Sequence, residues 1–152
     1  DNHPEIARPL GEWLGEAWLQ NYGTEHSFAV VPIPMHPEKE KQRGFNQAAL
    51  IAKSFCQTTG LKLKINGLQR VRKTEALFGL SPTERKETLT EAFDIGKDFR
   101  KHPNLPVILV DDIYTTGATV KSAIETLNKS KIIVSGVAAV AVPRKSNYKN
   151  NS

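Results

Sequence analysis

The chain has 152 residues, 39% of them apolar and 24% charged, which suits one globular domain with a real core and leaves no room for two. No apolar run reaches membrane-spanning length and no signal-type segment opens the chain, so the reading is a cytoplasmic protein without membrane insertion. Cys56 is the single cysteine, which excludes an internal disulfide and a cysteine-based metal site, and His3, His26, His36 and His102 lack metal-ligand spacing and read as solvated or packing residues.

In chain order, Ile6, Leu10, Trp13, Leu14, Ala17 and Trp18 recur at helical spacing after Pro4, predicting a helix whose tryptophans serve the core or a homodimer contact. Residues 28–33 form a buried strand interrupted by Pro32 and Pro34, and a polar loop is expected over 35–43. From Gly44 a second helix runs to Thr58 with Phe45, Ala48, Ala49, Ala52 and Phe55 inward, and Gly60 stops it. Residues 61–71 read as a short strand or edge element. The stretch 72–91 is polar, with a helix-start pattern at Ser81-Pro82-Thr83-Glu84, and residues 92–95 suit an edge strand. A strand over 106–111, a helix over 117–129 and a last apolar strand over 132–142 follow, and the polar tail 145–152 is expected to fray. Strands alternating with helices imply an α/β domain spanning 1–152, its mostly parallel sheet flanked by helices.

The most informative stretch is Val-Ile-Leu-Val-Asp-Asp-Ile-Tyr-Thr-Thr-Gly-Ala-Thr at 107–119. Four β-favouring apolar residues suit a parallel strand buried on both faces, and Asp111 and Asp112 then sit at its carboxyl end, where ligands bind in open α/β sheets. Thr115, Thr116, Gly117, Ala118 and Thr119 bring backbone N–H groups and hydroxyls to a helix N-terminus, a natural anion cradle. Carboxylates able to accept from sugar hydroxyls, one turn from a phosphate cradle, describe a ribose-5-phosphate site. Neither the G-x-G-x-x-G of a dinucleotide fold nor the G-x-x-x-x-G-K-[ST] of a nucleoside-triphosphate loop is present.

A second anion platform lies at Val31-Pro32-Ile33-Pro34-Met35-His36-Pro37 followed by Gln42-Arg43-Gly44-Phe45-Asn46-Gln47. There a guanidinium stands beside a helix start. The net charge of +5 is concentrated at Lys39, Lys41 and Arg43, at Arg70, Arg72 and Lys73, and at Arg85 and Lys86, in segments where a polyphosphate would be met. The polar stretch 72–88 suits a mobile hood that closes over a reacting ligand.

The segment at 107–119 resembles the phosphoribosyl pyrophosphate (PRPP) signature of type I phosphoribosyltransferases. With R-G-F-N-Q, the R-x-R-x-T run from Arg70 and the later A-F pair, the order of motifs is similar to the ComF family of phosphoribosyltransferase-like proteins, from about Ile6 to Arg144. The resemblance implies that Asp111 and Asp112 hold the ribose hydroxyls, directly or through Mg²⁺, and that residues 115–119 wrap the 5-phosphate. It implies that Arg43, Gly44 and Asn46, with Arg72, Lys73 or Arg85 from the hood, meet pyrophosphate as it leaves. Relatives place Gln at Leu77 and Asn at Thr88, so a different acceptor site is expected, and the acceptor itself is unknown. Many relatives also carry a four-cysteine zinc ribbon that these residues do not contain, and a chain shortened at its N-terminus is expected. The family's link to natural competence implies, as partners, single-stranded DNA or a competence helicase. A non-catalytic PRPP sensor in DNA uptake is the alternative to a transferase.

Overall fold

The computed structural model describes residues 3–76, 87–100, 105–113 and 117–141. A 3-10 turn at Pro4–Ile6 leads into helix α1 (Ala7–Tyr22), strand β1 (Ala29–Pro32), helix α2 (Pro37–Arg43) and helix α3 (Gln47–Thr59). Then come β2 (Lys62–Leu63), β3 (Leu68–Ala76), β4 (Glu87–Ile95), β5 (Val107–Ile113), α4 (Ala118–Lys129) and β6 (Val134–Ala141). Strands β2, β1, β5 and β6 form, in that order, a parallel sheet, whereas β3 and β4 pair antiparallel as a separate ribbon.

Alternation along the central strands divides the core between the two faces of the sheet. Ala29, Val31, Val107 and Leu109 pack with Val120, Ala123 and Leu127 of α4 and with Leu68 and Phe93 at the base of the ribbon. Val30, Ile108 and Val110 pack on the other face against Ile51, Ala52, Phe55 and Cys56 of α3 and Ala7 of α1. Residues 29–32 of β1 and 107–110 of β5 are therefore apolar without a break, as strand segments covered on both faces must be.

Pro32 is tolerated because of how β1 bonds. Ala29 and Ile33 donate their N–H groups toward the β5 side, to the carbonyls of Pro106 and Val110 at 2.9 and 2.8 Å. Residues of the other parity face β2, where Val30 accepts from the Lys64 N–H at 2.8 Å. The N–H that proline lacks would point past the end of β2, where no ladder bond is lost.

Helix α1 lies close on α3 through glycine. A Cβ at Gly11 would stand 2.6 Å from the Ile51 carbonyl oxygen, and one at Gly15 would stand 2.7 Å from Thr58 Cβ. The Ser54 hydroxyl donates to the Arg8 carbonyl at 2.6 Å across the same crossing. The inward stripe of α1 is thus Ala7, Gly11 and Gly15, with Leu14 and Trp18 beside it, and Trp13 is 62% exposed rather than in the core.

Three expectations need correction. Residues 37–43 are a helix and not a loop, even though they contain no apolar stripe. Their ends carry the signals instead: His36 Nδ1 accepts from the Glu38 N–H at 3.2 Å, Pro37 opens the helix, Glu38 and Glu40 sit in its first turn, Lys41 and Arg43 in its last, and Gly44 closes it at φ +89°. The second helix starts at Gln47 and not at Gly44, so Phe45 precedes it, and its buried residues include Ile51 and Cys56 while Ala49 is half-buried. Residues 68–76 and 87–95 form a nine-pair antiparallel ribbon, where a short edge strand and a polar stretch were expected. Gly60 does end α3, in the left-handed region at φ +78°. The helix-start pattern at 81–84, Leu77, His102 and the tail 145–152 lie outside the described residues. No helix among the described residues is long and apolar enough to cross a membrane.

Candidate functional site

The carboxyl end of the parallel sheet opens into a cleft of about 180 Å³. Three chain segments far apart in sequence meet there: Ile33, Pro34 and Met35 after β1, Arg43, Asn46 and Ala48 around the α2–α3 junction, and Asp111 and Asp112 of β5 with Thr119 of α4. Arg70 of β3 completes the wall. Because β1 and β5 are adjacent in register, Pro32 opposite Val110, the residues that follow each strand emerge side by side. A larger, mostly apolar cavity of about 290 Å³ lies among Trp18, Tyr22, Phe28 and Gly136. Its lining has none of the charged groups that line the cleft.

Asp111 is only 8% exposed and its Oδ1 accepts from the Asp112 backbone N–H at 2.9 Å, which orients the carboxylate. Asp112 is half-buried and lines the same cleft. Gly117 adopts φ +83° as the N-cap of α4 and has no side chain with which to close it, while Thr119 reaches the cleft wall. Thr115 and Thr116 lie outside the described residues, and Ala118 is an exposed first-turn residue of α4.

Asn46 lines the cleft, but its side chain already has partners in the frame. Its Oδ1 accepts from the Ala48 N–H at 3.0 Å and its Nδ2 donates to the Ile33 carbonyl at 3.2 Å, so it caps α3 and ties that helix to the exit of β1. Gly44 does not line the cleft; it closes α2 and borders a neighbouring hollow with Phe45 and Leu50. Arg43, in the last turn of α2, does line it. The helix that carries Arg43 therefore supplies the rigidity that a loop would not.

Of the hood candidates, Arg72 and Lys73 belong to β3, in register with Glu91 and Thr90, and Arg85 lies outside the described residues. Arg70, also of β3, lines the cleft. Its guanidinium carbon lies 5.0 Å from the centroid of the Phe93 ring, within cation–π range. The sequence signal for it was the first arginine of the R-x-R-x-T run, although nothing in that run distinguishes Arg70 from Arg72.

The arrangement sets two carboxylates and two guanidinium groups around one small polar cleft at strand ends. Such a site can accept hydrogen bonds from hydroxyls on one side and neutralise phosphoryl oxygens on the other.

No family model matches the chain. It is 34% identical over 126 residues to competence protein ComFC of Bacillus subtilis, a match covering 81% of this chain and 47% of that protein. To competence protein F of Haemophilus influenzae it is 32% identical over 101 residues, 66% of this chain and 44% of that protein. To DNA utilization protein YhgH of Salmonella typhimurium it is 30% identical over 141 residues, 91% of this chain and 59% of that protein. The chain spans about half the length of the curated relatives it matches. Among solved structures, adenine phosphoribosyltransferase of Leishmania donovani aligns with a TM-score of 0.52 at 13% identity, over 92% of this chain and 54% of that one. A hypothetical protein of Neisseria gonorrhoeae with bound ppGpp aligns at 0.54 and 10% identity, over 93% and 81%. At these identities the likeness concerns the fold alone, and the fold is that of the type I phosphoribosyltransferases.

Proposed function

The chain belongs to the ComF family of competence-associated, phosphoribosyltransferase-like proteins, and from that premise we propose that it binds PRPP and transfers its phosphoribosyl group with release of pyrophosphate. The observation that carries the reading is the meeting of Asp111 and Asp112 with Arg43 in one cleft at the carboxyl ends of β1 and β5. Asp111 and Asp112 accept from the ribose hydroxyls. Residues 115–119, which run into the start of α4, hold the 5-phosphate. Arg43 faces the pyrophosphate. In the transfer the bond from C1 to the pyrophosphate oxygen breaks, the electron pair leaves with that oxygen, and an acceptor lone pair forms the new bond to C1. Negative charge grows on the leaving oxygens, so a fixed cation stabilises the transition state more than the bound substrate. The described residues that line the cleft include no histidine, and the two carboxylates among them are assigned to the ribose. The acceptor therefore loses its proton to solvent or to a group of its own.

Among the described residues no cluster of three or more His, Cys, Asp or Glu side chains could hold a metal alone. Two carboxylates do fit Mg²⁺, which is commonly held by one or two carboxylates together with substrate oxygens and water. Bound there through Asp111 and Asp112, Mg²⁺ would supply charge neutralisation between the ribose hydroxyls and the pyrophosphate.

The names of the relatives, competence and DNA utilization proteins, favour a second reading in which bound PRPP is a signal in DNA uptake and nothing is transferred. Single-stranded DNA or a competence helicase would then be the partner. Calorimetric titration with PRPP, with and without Mg²⁺, followed by a pyrophosphate-release screen over nucleobases, separates the two. Mg²⁺-dependent binding with release supports the transferase, and binding without release for any acceptor supports the sensor. No binding at all overturns both.

A further inference from the structure

We infer that His36 is a positioning residue of the pyrophosphate site: its buried ring caps helix α2 and so fixes where Arg43 stands. The inference rests on the PRPP reading and extends it to a side chain that does not itself line the cleft. None of the seven residues of α2 is buried, Arg43 included. Helix α2 therefore owes little to an apolar face, and a helix this short is far below the length that holds itself together in water. Its place is set at its ends. At the far end the Gly44 N–H donates to the Glu40 carbonyl at 2.7 Å, and the Asn46 side chain ties the chain back to the Ile33 carbonyl at 3.2 Å. At the near end stands His36, the one buried residue between Ile33 and Ala48, at 9% exposure.

His36 contributes twice at that end. Its Nδ1 accepts from the Glu38 N–H at 3.2 Å and its carbonyl accepts from the Glu40 N–H at 3.0 Å, so one residue satisfies a donor of the first turn and accepts the first bond inside the helix. Serine, threonine, aspartate and asparagine are the preferred caps, but none of them brings a ring to bury. The histidine joins a cap to an anchor, and both act on the same short helix. A ring nitrogen that accepts carries no proton, so the capping imidazole is neutral and adds no charge of its own to the cleft. What it alters there is the position of the Arg43 guanidinium at the other end of α2. A cation already in place need not be ordered as charge develops on the leaving oxygens.

The test titrates wild type, His36→Phe, His36→Asn, Arg43→Ala and the His36→Phe/Arg43→Ala double variant with PRPP, inorganic pyrophosphate and ribose 5-phosphate. It is run at fixed Mg²⁺ and salt and at pH 8, where an ordinary imidazole is neutral, with thermal melts to verify folding. His36→Phe keeps a ring to bury and removes the acceptor. It should weaken PRPP and pyrophosphate roughly fivefold, what the loss of a typical cap amounts to as an affinity, and change ribose 5-phosphate less than about twofold. His36→Asn restores an acceptor and should bring pyrophosphate affinity back to within about twofold of wild type, at a lower melting temperature because the ring is gone. In the Arg43→Ala background His36→Phe should have no further effect on pyrophosphate, because a positioning residue acts through the group it positions. Should His36→Phe not fold, His36→Leu, which also lacks an acceptor, takes its place under the same criteria. The assignment is overturned, and the PRPP reading stands without it, if wild type binds PRPP and any of four results follows: His36→Phe matches wild type, lowers all three ligands equally, adds its loss to that of Arg43→Ala, or is not improved on by His36→Asn. If wild type binds none of the three ligands, the reading of the cleft fails and the assignment with it.

Discussion

Helices α3 and α4 both begin beside the same cleft at the carboxyl end of the sheet, and they begin in opposite ways. The N-cap of α3 is Asn46, whose side chain accepts from Ala48 and donates to the Ile33 carbonyl. The N-cap of α4 is Gly117, in the left-handed region and without a side chain. One helix start is a joint that fastens the helix to a strand. The other leaves the close approach to its backbone unobstructed, as an anion cradle requires. On the proposed function, two positions equivalent in topology serve the frame and the ligand, and the N-cap residue is what differs between them.

The strongest way to break the comparison is Gly117→Val. A β-branched side chain at φ +83° should cost about 1–2 kcal/mol in stability and weaken 5-phosphate binding about 100-fold or more. Far-UV circular dichroism with ribose 5-phosphate titration checks it; full affinity in a folded variant would make α4's start an ordinary cap.

Next in size is the division of the ligand across the cleft. Asp112→Asn should weaken PRPP and ribose 5-phosphate more than about tenfold and spare pyrophosphate, whereas Arg43→Ala should do the reverse. Equal losses on all three ligands in both variants would erase the distinction between ribose and pyrophosphate sides. Salt must be held constant, because exposed charges are screened over about 10 Å at 0.1 M.

Asn46→Ala sharpens the other half of the comparison. Losing the cap and the bond to Ile33 should lower stability by about 1–2 kcal/mol in chemical denaturation, with only a few-fold change in pyrophosphate affinity. The opposite outcome, unchanged stability with lost binding, would make Asn46 a ligand residue.

The effect that is absent at neutral pH concerns Cys56, buried on α3, where burial pushes the thiol up to about 12 from an ordinary 9. The native thiol stays protonated while the unfolded one ionises above about pH 9. Folding stability should therefore be insensitive to this group below pH 9 and decline between pH 9 and 12, by on the order of 1 kcal/mol per pH unit. A thiol reagent at pH 8 should label only denatured protein, and rapid native labelling would mean that α3 is not the fixed partner.

The sequence carried the position of the two carboxylates better than the elements around them. The run into Asp111 and Asp112 was legible as a strand end because a continuous apolar run suits a strand covered on both faces, and Gly60 was legible as a stop. Helix α2 was hidden because Pro-Glu-Lys-Glu-Lys-Gln-Arg has no apolar face, so periodicity is silent and only the capping residues speak. The ribbon was hidden for a related reason: a polar two-stranded unit shows no hydrophobic alternation. Asn46 read as an anion ligand because the same donor and acceptor atoms serve a cap, and only the positions of Ala48 and Ile33 reveal which. Arg70 stands opposite Phe93, a cross-strand neighbour that the R-x-R-x-T run alone does not reveal.

Pro32 has a consequence for the hydration of the sheet. Strand β2 pairs with only Ala29 and Val30 of β1, so a non-proline residue at 32 would carry a donor beyond the last rung of that pairing. Position 32 is fully buried, and a donor there would need a partner that β2 does not supply. The imino ring removes that need and lets the backbone stay dry up to the residue at which the cleft begins.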